Sequence, residues 1–124
     1  MVTNTTKITA IYQGGGLSIA GEINVNNFFS EVSIFISEPV VGQEISDNTT
    51  YTLNNDNTLK GQYYREDQNC FYHTTLSNVG LLKIRKIDKE NFIVSGIFEF
   101  QAISGDCDET INITDGRFDM KYIP

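Results

Sequence analysis

Apolar residues along this chain recur at every second position far more often than at the helical spacing, the signature of half-buried β-strands. Ile8, Ala10 and Tyr12 alternate with polar neighbours, and Leu17, Ile19, Gly21, Ile23 and Val25 do the same. Gln13-Gly14-Gly15-Gly16 lies between these runs and supplies the positive φ angles of a tight reversal, so the first two strands form a hairpin. A third strand spans Val32 to Ser37 with Val32, Ile34 and Ile36 inward, and stops before Pro39, which cannot donate to a ladder. Asn26-Asn27-Phe28-Phe29-Ser30 reads as a short loop or a single helical turn.

Further along, Tyr51 to Leu53 and Leu59 to Arg65 flank Asn54-Asn55-Asp56-Asn57, residues that tolerate left-handed backbone, which predicts a second hairpin. Cys70 to Thr75 and Gly80 to Ile87 follow, the latter with Leu82 and Ile84 on one side. The longest alternation is Phe92, Val94, Gly96, Phe98, Phe100 and Ala102, which marks a central strand, with Gly96 as a bulge or bend. Thr110 to Thr114 leads through Asp115-Gly116, a hairpin signal, into a last strand with Phe118, Met120 and Tyr122 inward. Eight or nine short strands at near-regular spacing imply an all-β domain, a single antiparallel β-sandwich or flattened β-barrel.

At 124 residues the chain suits one domain. Residues 1–6, rich in Thr and Asn, read as a disordered N-terminal tether ahead of a single all-β domain over 7–124. Met1 is followed by neither a basic start nor an apolar stretch, so either the chain begins here in the cytosol or an export segment has been trimmed away; the tether-like opening favours trimming. A net charge of −7 repels phosphate backbones and anionic headgroups, which argues against nucleic acid as a partner.

Cys70 and Cys107 are the two cysteines, spaced too widely for a CxxC motif, and the chain holds one histidine. A disulfide, two unrelated thiols and half of a shared metal site are all compatible with this. Both cysteines lie in polar, acidic sequence, Asp67-Gln68-Asn69-Cys70 and Gly105-Asp106-Cys107-Asp108, which favours the disulfide and with it an oxidising, extracytoplasmic setting.

A family likeness is densest in the last third of the chain. Gly80-Leu81-Leu82-Lys83-Ile84-Arg85-Lys86-Ile87-Asp88, then Ile93-Val94-Ser95-Gly96-Ile97-Phe98-Glu99-Phe100-Gln101-Ala102, then Ile113-Thr114-Asp115-Gly116-Arg117-Phe118-Asp119-Met120-Lys121-Tyr122 resemble, in that order, an uncharacterised family of Bacteroidetes exported lipoproteins. Ile97 stands where that family has Thr, and Met120 where it has Val or Leu. The resemblance implies an all-β domain anchored to an outer surface through a lipidated cysteine upstream. It also implies loop cysteines like Cys70 and Cys107, but no activity, so no functional residue is carried over.

Motifs for catalysis are missing: the sequence has no HExxH, no GxSxG and no P-loop, and Gly14-Gly15-Gly16 is turn glycine. His73, on a Cys-Phe-Tyr-His-Thr-Thr strand, reads as a surface or edge residue. We assign no catalytic residue, no metal site and no cofactor. The acidic and amide loops 54–57 and 106–109 lack the ligand spacing that wraps calcium, and the triplets Asn48-Thr49-Thr50 and Asn112-Ile113-Thr114 match the glycosylation pattern at chance level.

What stands out as a contact surface is Tyr63, Tyr64 and Arg65 together with Tyr72 and His73. Adjacent strand residues face opposite sides, so one of Tyr63 and Tyr64 meets solvent, where Tyr beside Arg suits a protein or glycan. The plainer reading is that these rings cover a sheet edge or brace the loop at Cys70, and the absence of Trp weighs against a sugar platform. The expectation is a monomeric, non-catalytic interaction or accessory domain of a surface lipoprotein, touching the membrane only through its anchor. A small barrel that carries an apolar ligand is the alternative, and needs an internal pocket of roughly several hundred Å³.

Overall fold

The computed structural model describes residues 4–25 and 28–124. It contains nine antiparallel strands in one unclosed sheet: β1 (Asn4–Gln13), β2 (Gly16–Val25), β3 (Phe28–Ser37), β4 (Thr49–Leu53), β5 (Leu59–Arg65), β6 (Cys70–His73), β7 (Gly80–Asp88), β8 (Ile93–Ser104) and β9 (Glu109–Lys121). The order across the sheet is β1-β2-β3-β5-β6-β8-β7-β4, and β9 pairs with β8.

The expected first hairpin is present, with Gln13 opposite Gly16 and Gly14 and Gly15 at φ 63° and 80°. Side chains there would oppose the left-handed turn that matches strand twist. β1 begins at Asn4, inside the stretch read as a tether, and Thr5 and Thr6 pair with Asn24 and Ile23. Met1–Thr3 and Asn26–Asn27 lie outside the described residues. Phe28–Ser30 is neither loop nor helical turn but the start of β3, whose ladder with β2 runs from Val25–Phe28 to Gly16–Ser37. Pro39 does end β3, and Glu38–Val41 forms a one-turn helix, α1, closed by Gly42 at φ 87°.

Two expected hairpins are replaced by other geometry. β4 pairs with β7 and β5 pairs with β3 and β6, so the 54–57 segment is a corner from which the two strands diverge. Its backbone still folds on itself: the Asn55 side-chain oxygen accepts from the amides of Asn57, Thr58 and Leu59 at 2.9, 2.7 and 3.0 Å. Asp115-Gly116 is no hairpin either, because residues 109–121 form a single strand along β8. Asp115 sits at φ 57° where the register slips between Phe98 and Phe100, so its left-handed backbone makes a bulge. That extra residue switches the inward positions of β9 from Ile111 and Ile113 to Phe118 and Met120, a phase that Tyr122 just beyond the strand continues. A second slip, at Arg85, likewise moves the inward set of β7 from Leu82 and Ile84 to Ile87.

β8 is the central strand the pattern predicts, with Val94, Gly96, Phe100, Ala102 and Ser104 buried. β9 lines one edge of it, so β7, against Ile93–Phe100, and β6, at Ile103, share the other edge end to end. Gly96 allows this close approach: a Cβ there would run into the Lys83 carbonyl and the Phe118 ring, both neighbours in the same sheet. The sheet curls around a core that includes Leu17, Ile36, Leu53, Tyr72, Leu82 and Ile84. Beyond β9, Ile123 makes a parallel bridge to Ile11, through Tyr12 N to Ile123 O at 2.9 Å and Ile123 N to Ala10 O at 2.8 Å.

Candidate functional site

A disulfide joins Cys70, the first residue of β6, to Cys107 in the turn between β8 and β9, with Cα atoms 5.9 Å apart. β6 and β8 share only the His73–Ile103 register pair, so the covalent link holds together two strands whose ladder is otherwise minimal. The two-thiol and shared-metal readings fall with it. Ser104, buried beneath this turn, accepts a hydrogen bond from the Cys107 amide at 3.2 Å.

The five residues of the expected contact surface separate onto two faces. Tyr63 packs against the core, and Tyr72 is fully buried at 0% exposure, so Tyr72 leaves the surface set. Its position follows from strand parity: Cys70 and Tyr72 point inward, which turns Phe71 and His73 outward. The Tyr72 hydroxyl has no hydrogen-bond partner among the described residues, and burial, followed by the nearby Glu109 carboxylate, raises its pKa. Arg65 is bound to Asp67 by Nη2 at 2.9 Å and Nε at 3.3 Å, so its charge is already compensated. His73 is half-buried, with Nδ1 3.2 Å from the Thr74 carbonyl and with Gln62 and Ile103 as register partners.

Tyr64 faces outward and is joined by two rings that sequence reasoning left out of the set. Phe71, 48% exposed, stacks on Tyr64 with centroids 4.3 Å apart, and Phe29 lies 6.0 Å away on the other side. A short loop or helical turn over 26–30 gives Phe29 no face; with β3 starting at Phe28, strand parity puts it on the face of Glu31 and Ser33. The Tyr64 hydroxyl donates to Asn69 at 3.4 Å. Three rings therefore form a strip across the outer face of β3, β5 and β6.

The strip continues into carboxylates. Lys7, Glu22, Glu31, Tyr64 and Phe71 are successive register partners across β1, β2, β3, β5 and β6. Partial burial, then the charge and hydrogen bonding of Glu22, hold the Glu31 carboxyl above the usual carboxylate range. Beside this row lies an open groove of about 450 Å³ lined by Ser18, Glu31, Ser33, Asn57, Lys60 and Gln62 among others.

A sequence profile described as a domain of unknown function, DUF6252, matches residues 4–120. The chain belongs to the DUF6252 family. No curated protein and no solved structure matches it. Within this DUF6252 domain, the apolar pocket bounded by Ile8, Ile19, Val32, Ile34, Phe98 and Phe118 has a volume of about 80 Å³. That is well short of the roughly several hundred Å³ a carrier of small apolar ligands needs. Among the described residues no three His, Cys, Asp or Glu side chains converge as metal ligands, and no helix is long and apolar enough to cross a membrane.

Proposed function

We propose that this DUF6252 domain works by contact, as a non-catalytic interaction or accessory domain of an exported surface lipoprotein. The observation that carries the reading is the outward strip Phe29–Tyr64–Phe71, with Phe71 exposed and Phe29 and Tyr64 half-buried on the outer face of the sheet. Burying one aromatic ring on folding removes roughly 150 to 250 Å² from water, so leaving Phe71 about half exposed forgoes stabilisation that a partner can recover. The disulfide is consistent with an extracytoplasmic, oxidising compartment. The likeness of 80–122 to exported Bacteroidetes lipoproteins supports the lipid anchor, with the membrane reached through it alone. The placement of His73 against a backbone carbonyl supports contact in preference to acid–base chemistry.

The test is site-specific photo-crosslinking in the native cell, on the full gene product. A benzophenone side chain in place of Phe71 is expected to give a discrete adduct, and the same group in place of exposed Thr52 on β4 none. Equal labelling at both positions, or none at 71, contradicts the reading. Metabolic labelling of the gene product with a fatty acid tests the anchor separately.

A further inference from the structure

We infer that the row Glu22–Glu31–Tyr64–Phe71 is the docking site for a basic polypeptide segment, an arginine or lysine side chain lying on the face of Tyr64 that Phe71 leaves free and reaching the paired carboxylates. The inference rests on the contact reading above and gives it a partner chemistry. Its basis is register: the four residues occupy one line across β2, β3, β5 and β6, and neighbouring strands lie roughly 5 Å apart. Phe71 covers the β6 side of Tyr64, so a guanidinium on the other face of that ring is on the side of Glu31. The negative face of the Tyr64 ring and the carboxylates favour the same charge, a planar cation held by stacking and by paired hydrogen bonds.

Like charges placed directly opposite on adjacent strands disfavour the sheet, so Glu22 facing Glu31 is a local cost to the fold. A cation from outside offsets that cost. None of the other charged groups around the row forms an ion pair with Glu31 among the described residues. Lys7, the register partner of Glu22 on β1, makes no ion pair among the described residues, and Arg65 is tied to Asp67. Lys60 lies four residues from Tyr64 along β5, on the same face and on the groove. Tyr64 itself is the group facing Glu31 from β5. With net charge −7, the domain as a whole also attracts a basic partner. The Glu31 carboxyl, partly buried and facing Glu22, holds its proton more tightly than an isolated carboxyl, and a docked cation favours its release.

The experiment titrates the full chain at low salt with a short capped peptide alternating arginine with serine, following backbone amide resonances. Shifts are expected to centre on Glu22, Glu31, Tyr64 and Phe71. Glu31→Gln and Tyr64→Ala should each weaken binding roughly three- to fivefold, the range of an exposed ion pair or cation–π contact. Glu90→Gln, the same charge change in the β7–β8 turn, should leave affinity unchanged. Equal weakening by Glu90→Gln and Glu31→Gln would reduce the effect to diffuse attraction and overturn the inference, as would a peptide that leaves the row unshifted. A counterpart with leucine for arginine separates the two readings. If it binds the row, is weakened by Tyr64→Ala and ignores Glu31→Gln, the contact reading stands and the cationic partner falls.

Discussion

Tyr12 on β1 donates its phenol to Glu38 of α1, and the same carboxylate oxygen accepts the Ile45 amide at 2.8 Å. One side chain thus fastens the helical turn and the following loop to the first strand, and Ile45 in that loop is completely buried in the core. A hydrogen bond to a charged group contributes about 1.5 to 3 kcal/mol, so Glu38→Ala should lower unfolding free energy by roughly that amount in a denaturant titration. Burial, then the bond to Glu38 and its charge, push the Tyr12 phenol far above its ordinary value. The stability this brings is complete below the phenol's unfolded value of about 10 and declines as pH rises past it. Tyr12→Phe should flatten that alkaline decline.

The Glu22–Glu31 pair sets the opposite end of the pH scale. Because the folded form holds the Glu31 proton more tightly than the unfolded chain does, this group's contribution is greatest in acid and falls as pH rises through the raised value. Glu31→Gln should therefore melt higher than the parent at pH 7 and lose the advantage in acid. Melting curves across that range check it, and an advantage that persists unchanged into acid would refute it.

Replacing Cys70 and Cys107 together with serine should cost about 3 to 4 kcal/mol, the loop-closure value for a separation of 37 residues. The loss should be local as well as global. With one register pair left between β6 and β8, amide exchange should quicken first in 66–70 and 104–109.

Gly96→Ala should destabilise by roughly 1 to 3 kcal/mol, since the added methyl meets the Lys83 carbonyl, a backbone atom fixed in the sheet. Gly105→Ala, where an added Cβ meets nothing within 4 Å, should be nearly neutral. Thermal midpoints of the two variants decide it.

The alternation of Leu17, Ile19, Ile34, Ile36 and Val94 to Ala102 was enough to place the inward face of the longer strands, because burial on one side of a pleat leaves a period of two. Asp115 and Asn54–Asn57 misled for a shared reason. Tolerance of left-handed backbone is common to hairpin turns, bulges and corners, and which one forms depends on pairing partners far away in the chain. β8 captures both halves of β9, and β7 captures β4; neither event leaves a local mark. Tyr72 was misplaced because Cys-Phe-Tyr-His is too short to reveal which phase faces in, and the disulfide that fixes the phase comes from a distant loop. The candidate row was half legible: Tyr64 beside Tyr63 announces one outward ring, whereas Glu22 opposite Glu31 exists only through register.

The parallel bridge between Ile11 and Ile123 has a mechanical consequence. Asn4 and Ile11 are seven strand residues apart, about 23 Å, so Asn4 and Ile123 stand near opposite ends of β1. Tension applied between Asn4 and Ile123 would load β1 lengthwise, shearing its ladder with β2 as a unit in place of unzipping it rung by rung.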